Sequence, residues 1–251
     1  IWLGLVGSEM CIRDRLKLFG WQSIFYMLAL YGLMLFGIVR FMLPSVAVKP
    51  SGEPLRQRMF LAYGRVLRNR PAMGFILANG LAFAALFTFI TDAAFLYMEY
   101  FRISPEAFPL YFGANVVTML GMNRLNVLLL RRYTSASIMR VALALQMTAC
   151  VTLLVLTLAG LLTLWLVVPL IMVAAGMVAL IMPNGIASFL DLFDHDSGAA
   201  TGLNGALQFL LAGLIGIVLG ILHDGSTLPM TALMATSSVA AWAAFSLVAR
   251  R

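Results

Sequence analysis

One acidic side chain, Asp92, lies inside an otherwise apolar stretch that is long enough to cross a lipid bilayer. Ionisable groups at membrane depth are energetically costly and ordinarily mark ion or substrate paths. A carboxylate withdrawn from water also binds a proton more readily, which suits a group that takes up and releases protons. Asp92 is therefore the candidate for proton coupling. The alternative is interfacial or structural pairing, because a helix from Pro71 to Asp92 already rises roughly 32 Å, about the thickness of the hydrocarbon core.

Amides, phenylalanines and methionines recur at helical spacing on three other parts of the chain. Asn79, Phe83 and Phe87 follow one another at intervals of one helical turn, and the same interval separates Asn115 from Met119. Such a face suits apolar small molecules, because soft side chains adapt and a few amides orient the ligand. The alternative is helix–helix contact, where amides hydrogen-bond across a bundle. The predicted substrate-cavity residues are Asn79, Phe83, Phe87, Thr91, Asn115, Met119, Asn184, Asn204 and Gln208.

Arrangements that would indicate catalysis or metal binding are missing from the sequence. It contains no His-Glu-x-x-His, no second Asp at membrane depth and no Ser–His pairing among the apolar stretches. Residues 191–196 hold three Asp and one His, but no second cluster completes a metal site, so a solvated loop is expected. We predict no enzymatic activity, no metal and no cofactor. An intramembrane enzyme stays open as an alternative, and a second carboxylate facing Asp92 would favour it. The second alternative that stays open is a seven-helix membrane protein that does not transport.

The composition is that of a membrane protein. Hydrophobic residues make up 62% of the 251 residues and charged residues 11%, against about 25% charged residues in globular domains. Residues 141–190 contain no charged side chain, and roughly 20 apolar residues suffice for one crossing. We predict an all-α polytopic membrane protein with about seven transmembrane helices. The predicted spans are Trp21–Leu43, Ala72–Met98, Ala107–Leu130, Ile138–Leu158, Leu164–Phe189, Ala199–Leu222 and Leu228–Val248.

The net charge of +7 is distributed as membrane topology requires, which argues against a nucleic-acid partner. Six basic residues precede the second span, three lie around the start of the fourth, and the chain ends in Arg250–Arg251. Intervening loops carry little positive charge. Because basic loops face the cytoplasm, the pattern predicts a multi-pass protein of the bacterial inner membrane with a cytoplasmic C-terminus.

Five glycines give the sixth predicted span a face of small residues. They are Gly202, Gly205, Gly213, Gly216 and Gly220. Small residues let two membrane helices approach closely, so we expect this face to pack against another helix.

Several motifs, in their order and spacing, carry a family resemblance over residues 18–248. They are Phe19-Gly20-Trp21-Gln22-Ser23-Ile24-Phe25, the segment from Phe89 to Tyr97, Ile103-Ser104-Pro105 with Tyr111-Phe112-Gly113-Ala114-Asn115, Met182-Pro183-Asn184-Gly185, Gly205-Ala206-Leu207-Gln208-Phe209, and His223-Asp224-Gly225. Together they resemble the bicyclomycin/chloramphenicol-resistance (Bcr/CflA) branch of drug:proton antiporters in the major facilitator superfamily. The chain departs from that pattern in carrying Asp92 where the branch usually has a small residue. It also has Leu125 where the superfamily's Gly-x-x-x-Asp loop motif commonly has its acidic residue.

The resemblance implies a secondary active transporter that exports small drug-like compounds in exchange for protons, and so a role in multidrug efflux and antibiotic resistance. Its partners would be a small-molecule substrate, protons, the lipid bilayer and the N-terminal half of the same chain. The chain would hold helix six and the C-terminal six-helix half of the major facilitator fold, with helices one to five missing.

The expected organisation follows from these spans. Residues 1–15 are expected to be a non-native tail, because a charged insert there abuts a span against the charge rule. Residues 16–43 would form the last helix of the N-terminal half, 44–71 a cytoplasmic basic linker, and 72–251 the C-terminal six-helix bundle.

Overall fold

The computed structural model describes residues 22–42, 55–193 and 197–248. The chain divides into two units, Ile1–Gly52 and Glu53–Arg251. The first contains helix α1 (Gln22–Met42), whose apolar stretch is Phe25–Phe41. The expected tail of residues 1–15 lies outside the described residues.

The second unit is helical throughout its described part. Helix α2 spans Leu55–Arg68 and α3 spans Arg70–Ala94, continuing as a π-helical segment at Phe95–Tyr100. The remaining helices are α4 (Phe108–Leu129), α5 (Ser135–Leu158), α6 (Leu164–Leu190), α7 (Ser197–Leu222) and α8 (Leu228–Val248). The described residues contain no strand. The predicted all-α polytopic class is confirmed.

Each predicted span corresponds to a helix, and five of these helices are long and apolar enough to cross a bilayer: α3 with its π-helical end, α5, α6, α7 and α8. Helix α4 has 22 residues but carries Arg124 and several amides, which lower its hydropathy. The predicted division of the uncharged run is confirmed. Helix α5 ends at Leu158, α6 begins at Leu164, and Gly160 between them adopts a φ of +67°, a conformation that glycine tolerates at no steric cost.

Local sequence signals set where the helices begin. The Asn69 side chain accepts a hydrogen bond from the Ala72 backbone N–H at 3.2 Å, and Pro71 occupies the first turn of α3. Thr134 caps α5 in the same way through the Ser137 N–H. One helix was not foreseen: α2 lies within the stretch expected to be a linker. Its only sequence signal is the one-turn spacing of Ala62 and Val66, both buried.

Among the five helices that are long and apolar enough to cross a bilayer, α3 with its π-helical end is the most buried and α7 the least. α3 packs against α6, α7 and α8, while α5 packs against α6 and α8, and α4 against α6. Two apolar clusters fill the interior. One surrounds Ile76, Met139 and Ile181, and the other surrounds Phe89 and Leu153. The first lies near the bundle end that carries Arg68, Arg70, Arg131, Arg132 and Arg140, called here the basic end; the second lies towards the opposite end.

The closest helix approaches are not at the glycine face expected on α7. A Cβ atom at Gly205, Gly213 or Gly220 would meet nothing within 4 Å, so that expectation fails for these three positions. Instead, a Cβ at Gly80 would lie 2.8 Å from Leu211 Cδ1, and one at Gly176 would lie 3.0 Å from Thr118 Cγ2. A Cβ at Gly185 would overlap the side chain of Asn79.

Gly185→Ala should therefore destabilise the bundle by about 1–3 kcal/mol, the usual cost of overpacking an interior. Gly213→Ala is the matched control, because its methyl group enters open space and alanine favours helix. Thermal unfolding of the two purified variants in one detergent measures the difference. Equal stability of the two variants would show that the Asn79–Gly185 contact is not tight, whereas recovery in Asn79→Ala/Gly185→Ala would locate the strain there.

Candidate functional site

Helices α3 and α7 run parallel and side by side, which brings two of the predicted polar stripes together. Gly80 faces Gln208, and the rings of Phe83 and Phe209 meet edge to face at 5.6 Å. One turn further, Phe87 is the nearest neighbour of Gly216. Phe83 and Phe87, both half-buried, also contact each other at 6.1 Å. This face of α3 is thus an aromatic ridge against α7.

A second group of predicted residues joins α3, α4 and α6 nearer the basic end. Asn184 Nδ2 donates to Asn126 Oδ1 and to the Leu180 carbonyl, each at 2.7 Å. Asn79 is fully buried and packs on Gly185, the residue after Asn184. Pro183 lacks an N–H and so leaves a carbonyl of the preceding turn of α6 without its usual helical donor. The Asn126–Asn184 pair therefore crosses between helices beside an interruption of the α6 ladder.

The other predicted amides are buried in different parts of the bundle. Asn115 donates to the carbonyls of Tyr111 and Phe112 in its own helix, and its side chain lies near the Tyr97 hydroxyl. Asn204 and Gln208 are buried on α7. Met119 is half-buried against the cluster around Phe89, and Thr91 is exposed, its hydroxyl donating to the Phe87 carbonyl at 2.9 Å.

Seven buried side-chain atoms have no hydrogen-bond partner among the described residues. Four of the six residues that carry them are predicted site residues, namely Asn79, Asp92, Asn115 and Asn204; the other two are Tyr97 and Gln146. Buried polar atoms are paired in the great majority of cases. The unpaired atoms therefore concentrate on the residues that the sequence marks as functional.

Asp92 lies at the far end of α3 from the basic end, roughly 20 Å along the helix from Asn79 at 1.5 Å per residue. It is 7% exposed, and its Oδ1 lies 3.8 Å from Nδ1 of His223, the residue that follows α7. The Phe95 ring meets the His223 ring edge to face at 4.7 Å. The sequence predicts that His223 and Asp224 form an outer-loop pair, with a proton-relay role for His223 as the minor alternative. Nothing in the spacing of two residues from different helices could show that they meet.

Two further carboxylates, Glu99 and Asp224, lie near this pair. The Glu99 carboxylate, two turns after Asp92, interacts electrostatically with the Asp92 carboxylate but is exposed near the helix end. It therefore does not form a paired carboxylate at membrane depth. Asp224 accepts a hydrogen bond from the Ser226 backbone N–H at 2.9 Å. The Ser226 hydroxyl and that N–H together lower the pKa of Asp224, so this carboxylate is ionised at neutral pH.

The backbone next to this pair is irregular. The π-helical segment Phe95–Tyr100 is a wide turn of a kind often found at functional sites. Arg102 follows with a φ of +56°, an uncommon conformation for a residue other than glycine. A cavity of about 530 Å³ opens there, lined by Phe95, Met98, Glu99, Tyr100, Arg102 and Gly225. None of the predicted substrate-cavity residues lines it.

No group of three His, Cys, Asp or Glu side chains that could hold a metal ion occurs within residues 22–42, 55–193 and 197–248. His195, part of the acidic loop considered in the sequence, lies outside these ranges.

Comparison with known proteins gives the geometry its family context. The chain is 26% identical over 215 residues to a bicyclomycin resistance protein homologue of Haemophilus influenzae, an alignment that covers 85% of this chain and 54% of the relative. It is 25% identical over 238 residues to an uncharacterised MFS-type transporter of Bacillus subtilis, covering 90% of this chain and 56% of that relative. The chain thus spans about half the length of the curated relatives it matches.

The predicted family is confirmed at two levels. The similarity to the Haemophilus protein supports the likeness to the Bcr/CflA branch. A family model matches residues 16–217, which are four fifths of the sequence and include every residue with an unpaired amide atom. The chain belongs to the Major Facilitator Superfamily.

Proposed function

We propose that this chain is part of a secondary active transporter that exports small drug-like compounds in exchange for protons by alternating access. Membership of a transporter superfamily supports transport in place of enzymatic activity. One relative is named for bicyclomycin resistance, which supports drug-like compounds as the substrate class. Proton coupling rests on Asp92, a buried carboxylate in the most central helix.

The observation that carries the proposal is the set of unpaired buried amides on α3, α4 and α7. An amide atom in a membrane interior without a partner is costly. A substrate passing through the bundle, or a second arrangement of the helices, would supply the missing hydrogen bonds. Asn79, Asn115 and Asn204 are accordingly proposed as substrate-cavity residues, with Phe83, Phe87 and Met119 as the adaptable apolar surface. The remaining members of the proposed set are Thr91, Asn184 and Gln208.

Helix α7 supplies a wide apolar surface next to these residues. Phe209 is 64% exposed, and the glycines at 213 and 220 meet no neighbouring side chain. We propose that residues 72–251 form one six-helix half of the transporter and that the helix at 16–43 belongs to the other half. Rocking of the two halves would expose a site between them to each side in turn. The partner in this motion is the N-terminal half of the same protein.

Orientation completes the proposal. The basic end carries the arginines that the positive-inside rule places in the cytoplasm. The C-terminus would therefore be cytoplasmic, and the Asp92–His223 end would face the outside of the bacterial inner membrane.

Efflux assays on cells that produce the intact transporter containing this chain test the function. Export of a bicyclomycin-like or other drug-like compound should fall to background when a protonophore collapses the proton gradient. A potassium ionophore removes only the electrical potential, so it separates the contribution of the electrical potential from that of the pH gradient. Export that survives loss of the proton gradient would contradict the antiporter mechanism.

Asp92→Asn should lower proton-driven efflux at least 10-fold, because the neutral amide cannot bind and release a proton. Asp191→Asn, which removes an exposed carboxylate beyond the basic end of α6, is the matched control and should leave efflux unchanged. Initial rates at a fixed pH gradient, normalised to protein in the membrane, make the comparison. Unchanged efflux in Asp92→Asn would remove Asp92 from the coupling mechanism.

Asn204→Leu should raise the KM for substrate several-fold, because its amide is proposed to contact the ligand. Gln146→Leu is a demanding control, since Gln146 is also a buried amide with an unpaired oxygen but donates to the Ala82 carbonyl at 2.9 Å. We expect Gln146→Leu to lower stability by about 1–3 kcal/mol and to leave KM unchanged. A KM effect in Gln146→Leu equal to that in Asn204→Leu would mean that both residues act through the fold.

A further inference from the structure

We infer that His223 and Asp92 form a proton-binding pair that fastens the end of α7 to α3 when His223 is protonated. The inference extends the proposed function, which assigns proton coupling to Asp92, and names the second member of the site. The ligand is a proton, taken up from the side of the membrane opposite the basic end.

The pair combines a buried acceptor, Asp92, with a solvent-exposed donor, His223. Asp92 Oδ1 lies 3.8 Å from His223 Nδ1, while the other carboxylate oxygen is buried without a partner. The His223 side chain is 39% exposed, so it exchanges protons with bulk water. Histidine is the side chain that ordinarily changes charge between about pH 5 and 8. A proton on His223 would therefore convert the contact between a neutral imidazole and the ionised Asp92 carboxylate into an ion pair across two helices.

Three local features surround the His223 ring. His223 directly follows Leu222, the last residue of α7, and the C-terminal end of a helix stabilises a positive charge. The ionised Asp224 is the next residue in the chain and interacts electrostatically with His223. Phe95 holds the imidazole edge to face at 4.7 Å and so limits its rotation away from Asp92.

The charged groups around the pair come from a small number of elements. On α3 and its π-helical end these are Asp92 and Glu99, and Tyr100 and Arg102 line the adjoining cavity. Helix α8 carries no charged or titratable side chain along Leu228–Val248. Helix α2 meets α7 at the other end of the bundle, where the Tyr63 hydroxyl approaches Gly202. Among these described residues, the carboxylates therefore outnumber the one cation, Arg102, that lines the adjoining cavity.

The π-helical segment Phe95–Tyr100 adjoins the proposed contact between α3 and the end of α7. It begins at Phe95, the residue that contacts His223, and ends next to the left-handed backbone of Arg102. Wide turns and strained residues persist where surrounding contacts hold them in place. Proton binding at His223 adds such a contact, and proton release removes it.

The histidine count makes a direct test practical, because the whole sequence contains two histidines, His195 and His223. NMR of the full chain with labelled histidine, in detergent micelles, should show two titrating signals, and His223→Gln assigns them by loss of one. Asp92→Asn should move the midpoint of His223 to lower pH, since removal of a nearby negative charge disfavours the protonated ring. The midpoint of His195 should stay where it is. Asp92→Glu, which keeps the charge, should retain most of the wild-type midpoint.

A His223 midpoint that is the same in the wild type and in Asp92→Asn, with Asp92→Glu also unchanged, would overturn the pair. Thermal unfolding supplies a second reading. The pair contributes only while His223 carries its proton and Asp92 is ionised, so its stabilisation is lost as pH rises through the histidine range. Between pH 5.5 and 8, the melting temperature of the wild type should fall further than that of His223→Gln. This difference should vanish when both proteins also carry Asp92→Asn. Equal pH dependence of wild type and His223→Gln would also overturn it.

Neither measurement involves transport, so the two proposals fail separately. If His223 and Asp92 titrate as a pair but efflux does not depend on the proton gradient, the pair is supported and the antiporter mechanism is contradicted. Proton-driven efflux with an unshifted His223 would do the reverse.

Discussion

The bilayer interior contains no water to hydrogen-bond with exposed polar groups, so each polar atom at that depth needs a partner within the protein. Most helix hydroxyls in the described part of the chain meet the requirement within their own helix. Thr88 donates to the Ala84 carbonyl, Thr118 to that of Ala114 and Ser188 to that of Asn184, each at 2.8–2.9 Å. Gln146 crosses from α5 to a carbonyl of α3 instead. Helix α3, which packs against α6, α7 and α8, therefore receives a side-chain hydrogen bond from a further helix, α5.

Against that background the exceptions are informative. Hydroxyls can bond to the preceding turn, whereas a buried carboxamide has both a donor and an acceptor to satisfy and rarely does so locally. Asn79 pairs neither atom and Asn115 pairs only its nitrogen. A sequence selected for stability alone would place leucine or alanine at such positions. Their presence at the centre of the bundle supports the proposed role in substrate binding.

Hydropathy predicted the helices well because span length and loop charge are set by the bilayer itself. The ends of α6 and α8 lie within one residue of expectation, and Gly160 forms the expected turn. Helix α2 was missed because its sequence is too polar for a span and only Ala62 and Val66 indicate a buried side.

Contacts between helices were harder to predict than the helices. The glycines of α7 are spaced for close packing, yet the tight approaches occur at Gly80, Gly176 and Gly185. Composition gives the faces of a helix but not which neighbour each face meets. For the same reason the sequence indicated Asp92 and the cavity residues individually, while the meeting of Asp92 with His223 depends on the parallel register of α3 and α7.

The two ends of α3 make different kinds of contact, and this difference matters for coupling. Near the basic end, Asn79 packs on Gly185 so closely that no added atom fits, which makes the contact between α3 and α6 steric and short-ranged. At the other end, Asp92 meets His223 at 3.8 Å through charge, which is longer-ranged and depends on protonation. Both contacts act on one continuous helix, whose hydrogen-bonded backbone makes it a rigid element. In the proposed mechanism, a change in charge at one end would displace α3 as one rigid element, and the close contact at Asn79 would oppose that displacement most strongly. The proposed proton site would in this way act on the proposed substrate residues without contacting them.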